Sequence, residues 1–222
     1  MTPPTIVFDL DGTLVDTAHD LVATLNAVLV SEGMAPVSVE TLIGMVGSGA
    51  RVLLEGAFAA EGRALTPEKL DALLRLYMTI YDEHIADSSR PYPGAEAMLD
   101  AFAADGWRLA VCTNKFEAPA RKLLTVLHLA DHFVAITGQD TFAFRKPDPR
   151  HLIETIRLAG GSSGDAIMVG DSATDIDTAN AAGIPVVAVT YGYSPIAVAK
   201  LGATRVIGSL AELRGAVSDI RK

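Results

Sequence analysis

Thr5-Ile6-Val7-Phe8-Asp9-Leu10-Asp11-Gly12-Thr13 is the stretch on which the reading of this chain turns. Its first four residues are β-prone and three are strongly apolar, which predicts a strand covered on both faces; such strands belong to parallel sheets flanked by helices. Two acids and a glycine follow at once. Ligands of open α/β sheets sit beyond the carboxyl ends of the strands, so Asp9 and Asp11 arrive where a site is expected, and Gly12 permits a sharp turn behind them. An Asp-Gly pair also makes an ordinary solvated turn, so the motif needs support from the rest of the chain.

Similar runs recur at Arg108–Cys112, Phe133–Ile136, Ala166–Val169, Pro185–Val189 and Arg205–Ile207, with helical patterns between them. That alternation predicts a doubly wound, Rossmann-like α/β core with a parallel sheet. The first two runs are about a hundred residues apart, far more than one crossover helix requires. The intervening sequence is helical in pattern: Leu21, Leu25, Val28 and Leu29 form one apolar stripe, Val52, Leu53 and Phe58 a second, and Leu70, Leu73, Leu74, Tyr77 and Tyr81 a third. Thr66-Pro67-Glu68 supplies an N-cap, a first-turn proline and an early acid for the last of these helices. The expected organisation is a core of residues 1–15 and 84–222 with an inserted all-helical cap of residues 16–83.

The 222 residues carry 27 acids against 18 lysines and arginines, a formal net charge of −9. Acidity on this scale, with no basic cluster, argues against nucleic-acid or membrane-surface partners. Polar residues break every apolar stretch before the ~18 residues of a spanning helix. The single cysteine, Cys112, forms no intrachain disulfide, and the first fifty residues contain six acids and no lysine or arginine, so a cytoplasmic location is expected.

The other strand ends carry chemistry too. Cys112-Thr113-Asn114 places a hydroxyl and an amide at the same sheet edge, Lys146 lies in the rigid segment Arg145-Lys146-Pro147-Asp148-Pro149, and Gly170-Asp171-Ser172-Ala173-Thr174-Asp175 sets two acids four apart at a helix start. Singly, each has a plainer explanation: turn chemistry for Thr-Asn, an exposed loop lysine, acids complementing a helix dipole. As a set they fall at the ends of core strands or in the loops that follow. Asp9, Asp171 and Asp175 then make an oxygen cage of the kind Mg²⁺ prefers.

These four motifs, in this order, resemble those of the haloacid-dehalogenase-like hydrolase superfamily, and a helical insertion after the first motif resembles that superfamily's cap. Val46-Gly47-Ser48-Gly49-Ala50-Arg51, Thr113-Asn114-Lys115 and Thr190-Tyr191-Gly192-Tyr193 are further similar to its bacterial phosphoglycolate phosphatase branch. The resemblance implies a Mg²⁺-dependent phosphatase acting on a small phosphorylated metabolite, with 2-phosphoglycolate foremost. Asp9 would be the nucleophile and form an aspartyl-phosphate, Asp11 the general acid and base, and Thr113, Asn114 and Lys146 the stabilisers of the phosphoryl group. The metal would be held by Asp9, the backbone carbonyl of Asp11, Asp171, and Asp175 directly or in support. Gly47, Ser48, Gly49 and Arg51 of the cap, with Lys115, would bind the rest of the substrate, Arg51 and the amides of its turn taking a carboxylate. A pyrophosphatase, a broad phosphatase, a phosphosugar mutase and, from another class, a phospho-accepting receiver module are the competing readings; the last lacks both a cap and an acid two residues after the acceptor. Monomer and homodimer are both compatible with the sequence.

Overall fold

The computed structural model describes residues 3–222. Six parallel strands form one sheet: β1 (Thr5–Phe8), β4 (Arg108–Cys112), β5 (Ala135–Thr137), β6 (Ala166–Gly170), β7 (Val186–Val189) and β8 (Arg205–Ile207), in the order β5-β4-β1-β6-β7-β8. A separate two-stranded antiparallel ribbon joins β2 (Val15–Asp16) to β3 (Arg90–Pro91). The chain winds outward from β1 through β4 to β5, then returns to β6 on the other side of β1. That reversal beside β1 leaves a crevice at the carboxyl ends of the strands, where ligands of such sheets bind. The expected strands all form, with small shifts at their ends. Pro185 has no N–H to give to a ladder, so β7 starts at Val186, and the third run pairs over Ala135–Thr137 rather than from Phe133.

Alternate side chains along each strand enter different packing layers. Ile6, Phe8, Leu109, Val111, Ile167 and Val169 join one cluster, whereas Val7, Ala110, Cys112, Met168 and Val186 join the other. The insertion contributes α1 (Ala18–Ser31), the single turn α2 (Val39–Leu42), α3 (Ala50–Ala60) and α4 (Pro67–Glu83); the remaining helices are α5 (Ala95–Ala104), α6 (Glu117–Val126), α7 (Pro149–Leu158), α8 (Ala173–Ala181) and α9 (Leu213–Ile220). The start of α4 follows its sequence: Thr66 Oγ1 accepts from the Lys69 amide at 3.2 Å, and Pro67 occupies the first turn. The insertion packs its own stripes together and also shares the first cluster with the sheet, since Leu25, Leu53, Phe58, Leu73 and Tyr77 belong to it. The ribbon β2–β3 brackets these helices, so the chain leaves and re-enters the sheet domain at one place. Among the described residues no helix is long and apolar enough to cross a membrane.

Candidate active site

Strand register assembles the site. Phe8 stands opposite Val111 on one side and Val169 on the other, and β4 and β6 each run one residue beyond that level, so Asp9, Thr113 and Asp171 emerge at the same edge of the sheet. Gly12 has a φ of +83°, and a Cβ there would lie 2.7 Å from Asp171 Oδ2, so the turn after Asp11 accepts glycine for both conformation and space. Carboxylate oxygens of Asp9, Asp171 and Asp175 come within 4.8 Å of one another, and all three residues are buried.

Each acid is held differently. Asp9 Oδ1 accepts from the Leu10 amide at 2.7 Å and lies 3.0 Å from Lys146 Nζ. Asp175 Oδ1 accepts from Lys146 Nζ at 2.6 Å, while its Oδ2 accepts from the hydroxyl and amide of Ser172 in the capping box that opens α8. Asp171 accepts only from neutral donors: the Thr13 hydroxyl at 2.9 Å and the Tyr193 amide at 2.7 Å. One ammonium therefore faces three carboxylates. Burial, and then the charge of Asp175, push the Asp9 carboxyl well above the usual carboxylate range and raise Asp171 to about 7. Burial opposes the charge on Lys146, but Asp175 and Asp9 outweigh it and hold the proton on. An under-neutralised, all-oxygen donor set of this kind fits a hard divalent cation.

Asp11 is kept apart from that cluster. Its carboxylate accepts from the Thr17 hydroxyl at 2.8 Å and lies 3.1 Å from Lys115 Nζ. Thr113 is buried and its hydroxyl accepts from the Lys115 amide, and Asn114 Nδ2 donates to the Lys146 carbonyl at 3.2 Å. The Asn114 side-chain oxygen is buried without a partner among the described residues.

The cap closes over these groups through the Gly47–Gly49 turn. Gly47 sits against the carbonyl of Asp11, and a Cβ at Gly49, whose φ is +98°, would approach the Asn114 carbonyl to 3.2 Å. The narrow pocket beneath this turn is lined by Asp11, Gly49, Ala50, Tyr77, Tyr81 and Lys115 among others. Ser48 instead borders a neighbouring cleft with Asp171, Ser172 and Tyr193. Arg51 does not join them. Its guanidinium turns outward to Asp71, 2.7 Å away, because Ala50 and Leu53 take the inner face of α3 and leave positions 51 and 52 facing solvent. The same geometry removes Val52 from the buried stripe expected of it.

Several contacts were not anticipated. The Tyr193 hydroxyl accepts from the amides of Thr17 and Ala18 and donates to Asp16, tying the loop after β7 to the start of α1. Buried Asp20 accepts from the amides of Ser88 and Ser89 and from the Ser89 hydroxyl. Tyr81 belongs to an apolar stripe by spacing yet lines the pocket, and nothing in that spacing distinguishes it from a packing residue.

The family model for haloacid dehalogenase-like hydrolases matches residues 6–189. The chain belongs to the haloacid dehalogenase-like hydrolase family. A phosphoglycolate phosphatase of Mesorhizobium japonicum is 55% identical to it over 87% of this chain and 86% of its own length, and one of Agrobacterium fabrum is 47% identical over 97% and 93%. The crystal structure of a predicted phosphoglycolate phosphatase from Haemophilus somnus superposes with a TM-score of 0.89 at 29% identity, covering 97% of this chain and 98% of that one. As a haloacid dehalogenase-like hydrolase with such relatives, it is a phosphoric monoester hydrolase of the phosphoglycolate phosphatase-like kind.

Proposed function

We propose that the chain hydrolyses 2-phosphoglycolate to glycolate and phosphate in a Mg²⁺-dependent reaction through an aspartyl-phosphate on Asp9, with residues 16–83 acting as the cap. The observation that carries the chemistry is the cluster of Asp9, Asp171 and Asp175 opposed by Lys146 alone. The substrate rests on the relatives' name and on a pocket narrowed by Tyr77, Tyr81 and Leu53, which suits a leaving group of a few atoms.

Asp9, Asp171 and the Asp11 carbonyl would hold Mg²⁺, which would supply positive charge against the charge of the phosphoryl group. Asp175, both of whose oxygens are engaged by Lys146 and Ser172, orients from behind. Asp9 attacks phosphorus and the ester P–O bond breaks. Asp11 gives its proton to the departing alkoxide, then takes one from the water that attacks the aspartyl-phosphate, releasing phosphate and restoring Asp9. Thr113, the Asn114 backbone and Lys146 meet the charge that spreads over the phosphoryl oxygens.

Phosphate release from 2-phosphoglycolate, β-glucose 1-phosphate, pyrophosphate and p-nitrophenyl phosphate, with and without Mg²⁺, tests this reading. We expect kcat/KM to be highest for 2-phosphoglycolate and Asp9→Asn to lower it by at least about a thousandfold. Equal rates across the panel would retain the phosphatase and discard the substrate.

A further inference from the structure

The pocket over Asp11 holds a buried cation beside a buried phenol whose hydroxyl has no partner among the described residues. Lys115 Nζ, in contact with Asp11, lies 4.5 Å from the centroid of the Tyr81 ring. Tyr81 is 1% exposed, and its hydroxyl makes no hydrogen bond among the described residues. A buried hydroxyl in that state is costly unless something else supplies the acceptor. Burial, with the carboxylates of Asp11 and Asp20, holds the phenol pKa well above its ordinary value, so the group stays a donor.

The opposite wall offers donors as well. Gly49 and Ala50 line the pocket at the start of α3, an eleven-residue helix whose N-cap is glycine and whose first amides receive no side-chain cap. An ammonium, a phenolic O–H and an uncapped helix N-terminus all favour a small anion. The phosphate of the substrate is accounted for at Asp9, so the anion taken here is a second one on the same molecule. Arg51, the cation that the sequence suggested for this task, is engaged with Asp71 outside.

We propose that Lys115 and Tyr81, with the first amides of α3, form the subsite for the carboxylate of the leaving group. The assignment rests on the reading given under Proposed function and adds the groups that discriminate the substrate. Lys115 spans the two tasks: its ammonium contacts both oxygens of Asp11 and, with three donors, has capacity left for the carboxylate.

The experiment compares kcat/KM for 2-phosphoglycolate with that for 2-hydroxyethyl phosphate, an ester of similar reach that carries a neutral hydroxyl where the carboxylate would be. Lys115→Met is expected to lower the ratio of the two by about a hundredfold or more, and Tyr81→Phe, which keeps the ring, by about tenfold. Glycolate as an inhibitor of p-nitrophenyl phosphate hydrolysis supplies a reading independent of turnover of the acid: its inhibition constant should rise in both variants. A merely structural role would depress both esters together; an unchanged ratio in the two variants overturns the subsite and leaves the phosphatase standing. If Lys115→Met does not fold, Tyr81→Phe decides on the same terms. A wild-type enzyme indifferent between the two esters would overturn the substrate assignment, and the subsite with it.

Discussion

Asp171 shows how a site can be legible in sequence while its energetics are not. Its place after β6, in Gly170-Asp171-Ser172, marked it together with Asp9, Asp11, Lys146 and Asp175, because acids at the ends of parallel strands converge. What the sequence could not show is that Thr13 and Tyr193, 158 and 22 residues away, give it neutral donors while Asp175 repels it. A carboxyl raised to about 7 in the fold binds its proton more tightly there than in the unfolded chain, so its contribution to stability is present at acidic pH and is lost as pH rises through about 7. Asp171→Asn can keep both hydrogen bonds, Oδ1 accepting from the Tyr193 amide and Nδ2 donating to the Thr13 hydroxyl. In EDTA at pH 8 this variant should therefore be more stable than the wild type, by about 1–3 kcal/mol, while losing Mg²⁺-dependent turnover. Urea denaturation measures the first and phosphate release the second; a variant weaker in EDTA would show that repulsion does not dominate at this residue.

The helices of the insertion were readable because Leu21, Leu25, Leu53, Leu70 and Tyr77 recur at helical spacing, but the direction in which a helix presents one polar residue was not. Arg51 follows the Gly47–Gly49 turn and yet points away, since inner and outer faces of α3 alternate within its first turn and only packing against α4 decides between them. The same blindness hid Asp20, which reads as a first-turn acid of α1 and is instead the acceptor that fastens α1 to the returning chain at Ser88 and Ser89. Asp20→Ala strands two amides and a hydroxyl in a largely buried place. We expect it to lower unfolding free energy by about 3 kcal/mol, with Asp20→Asn intermediate, as read from urea midpoints. Equal midpoints for wild type and Asp20→Ala would mean that water replaces the carboxylate without cost.

At the scale of the whole molecule, the apolar runs revealed the six strands and their parallel character, whereas the spatial order β5-β4-β1-β6-β7-β8 depends on pairings between distant segments that no local pattern encodes. Nor could spacing show that the insertion and one face of the sheet share a cluster containing Leu25, Tyr77, Phe8 and Val169. With a common core, the two parts should unfold together. Fluorescence of Trp107, the single tryptophan, which packs edge-on against Phe102 in the sheet domain, is expected to follow the same urea curve as far-UV circular dichroism, to which the inserted helices contribute heavily. Two separated transitions would show that this shared cluster is dispensable to each part. The ribbon of Val15–Asp16 with Arg90–Pro91 carries a different implication. Because both ends of the insertion meet there as adjacent strands, the helices form a cassette: a foreign helical segment whose termini lie a strand spacing apart could be spliced into the same seam, leaving Asp9, Lys146 and Asp171 on their own scaffold and exchanging one leaving-group preference for another.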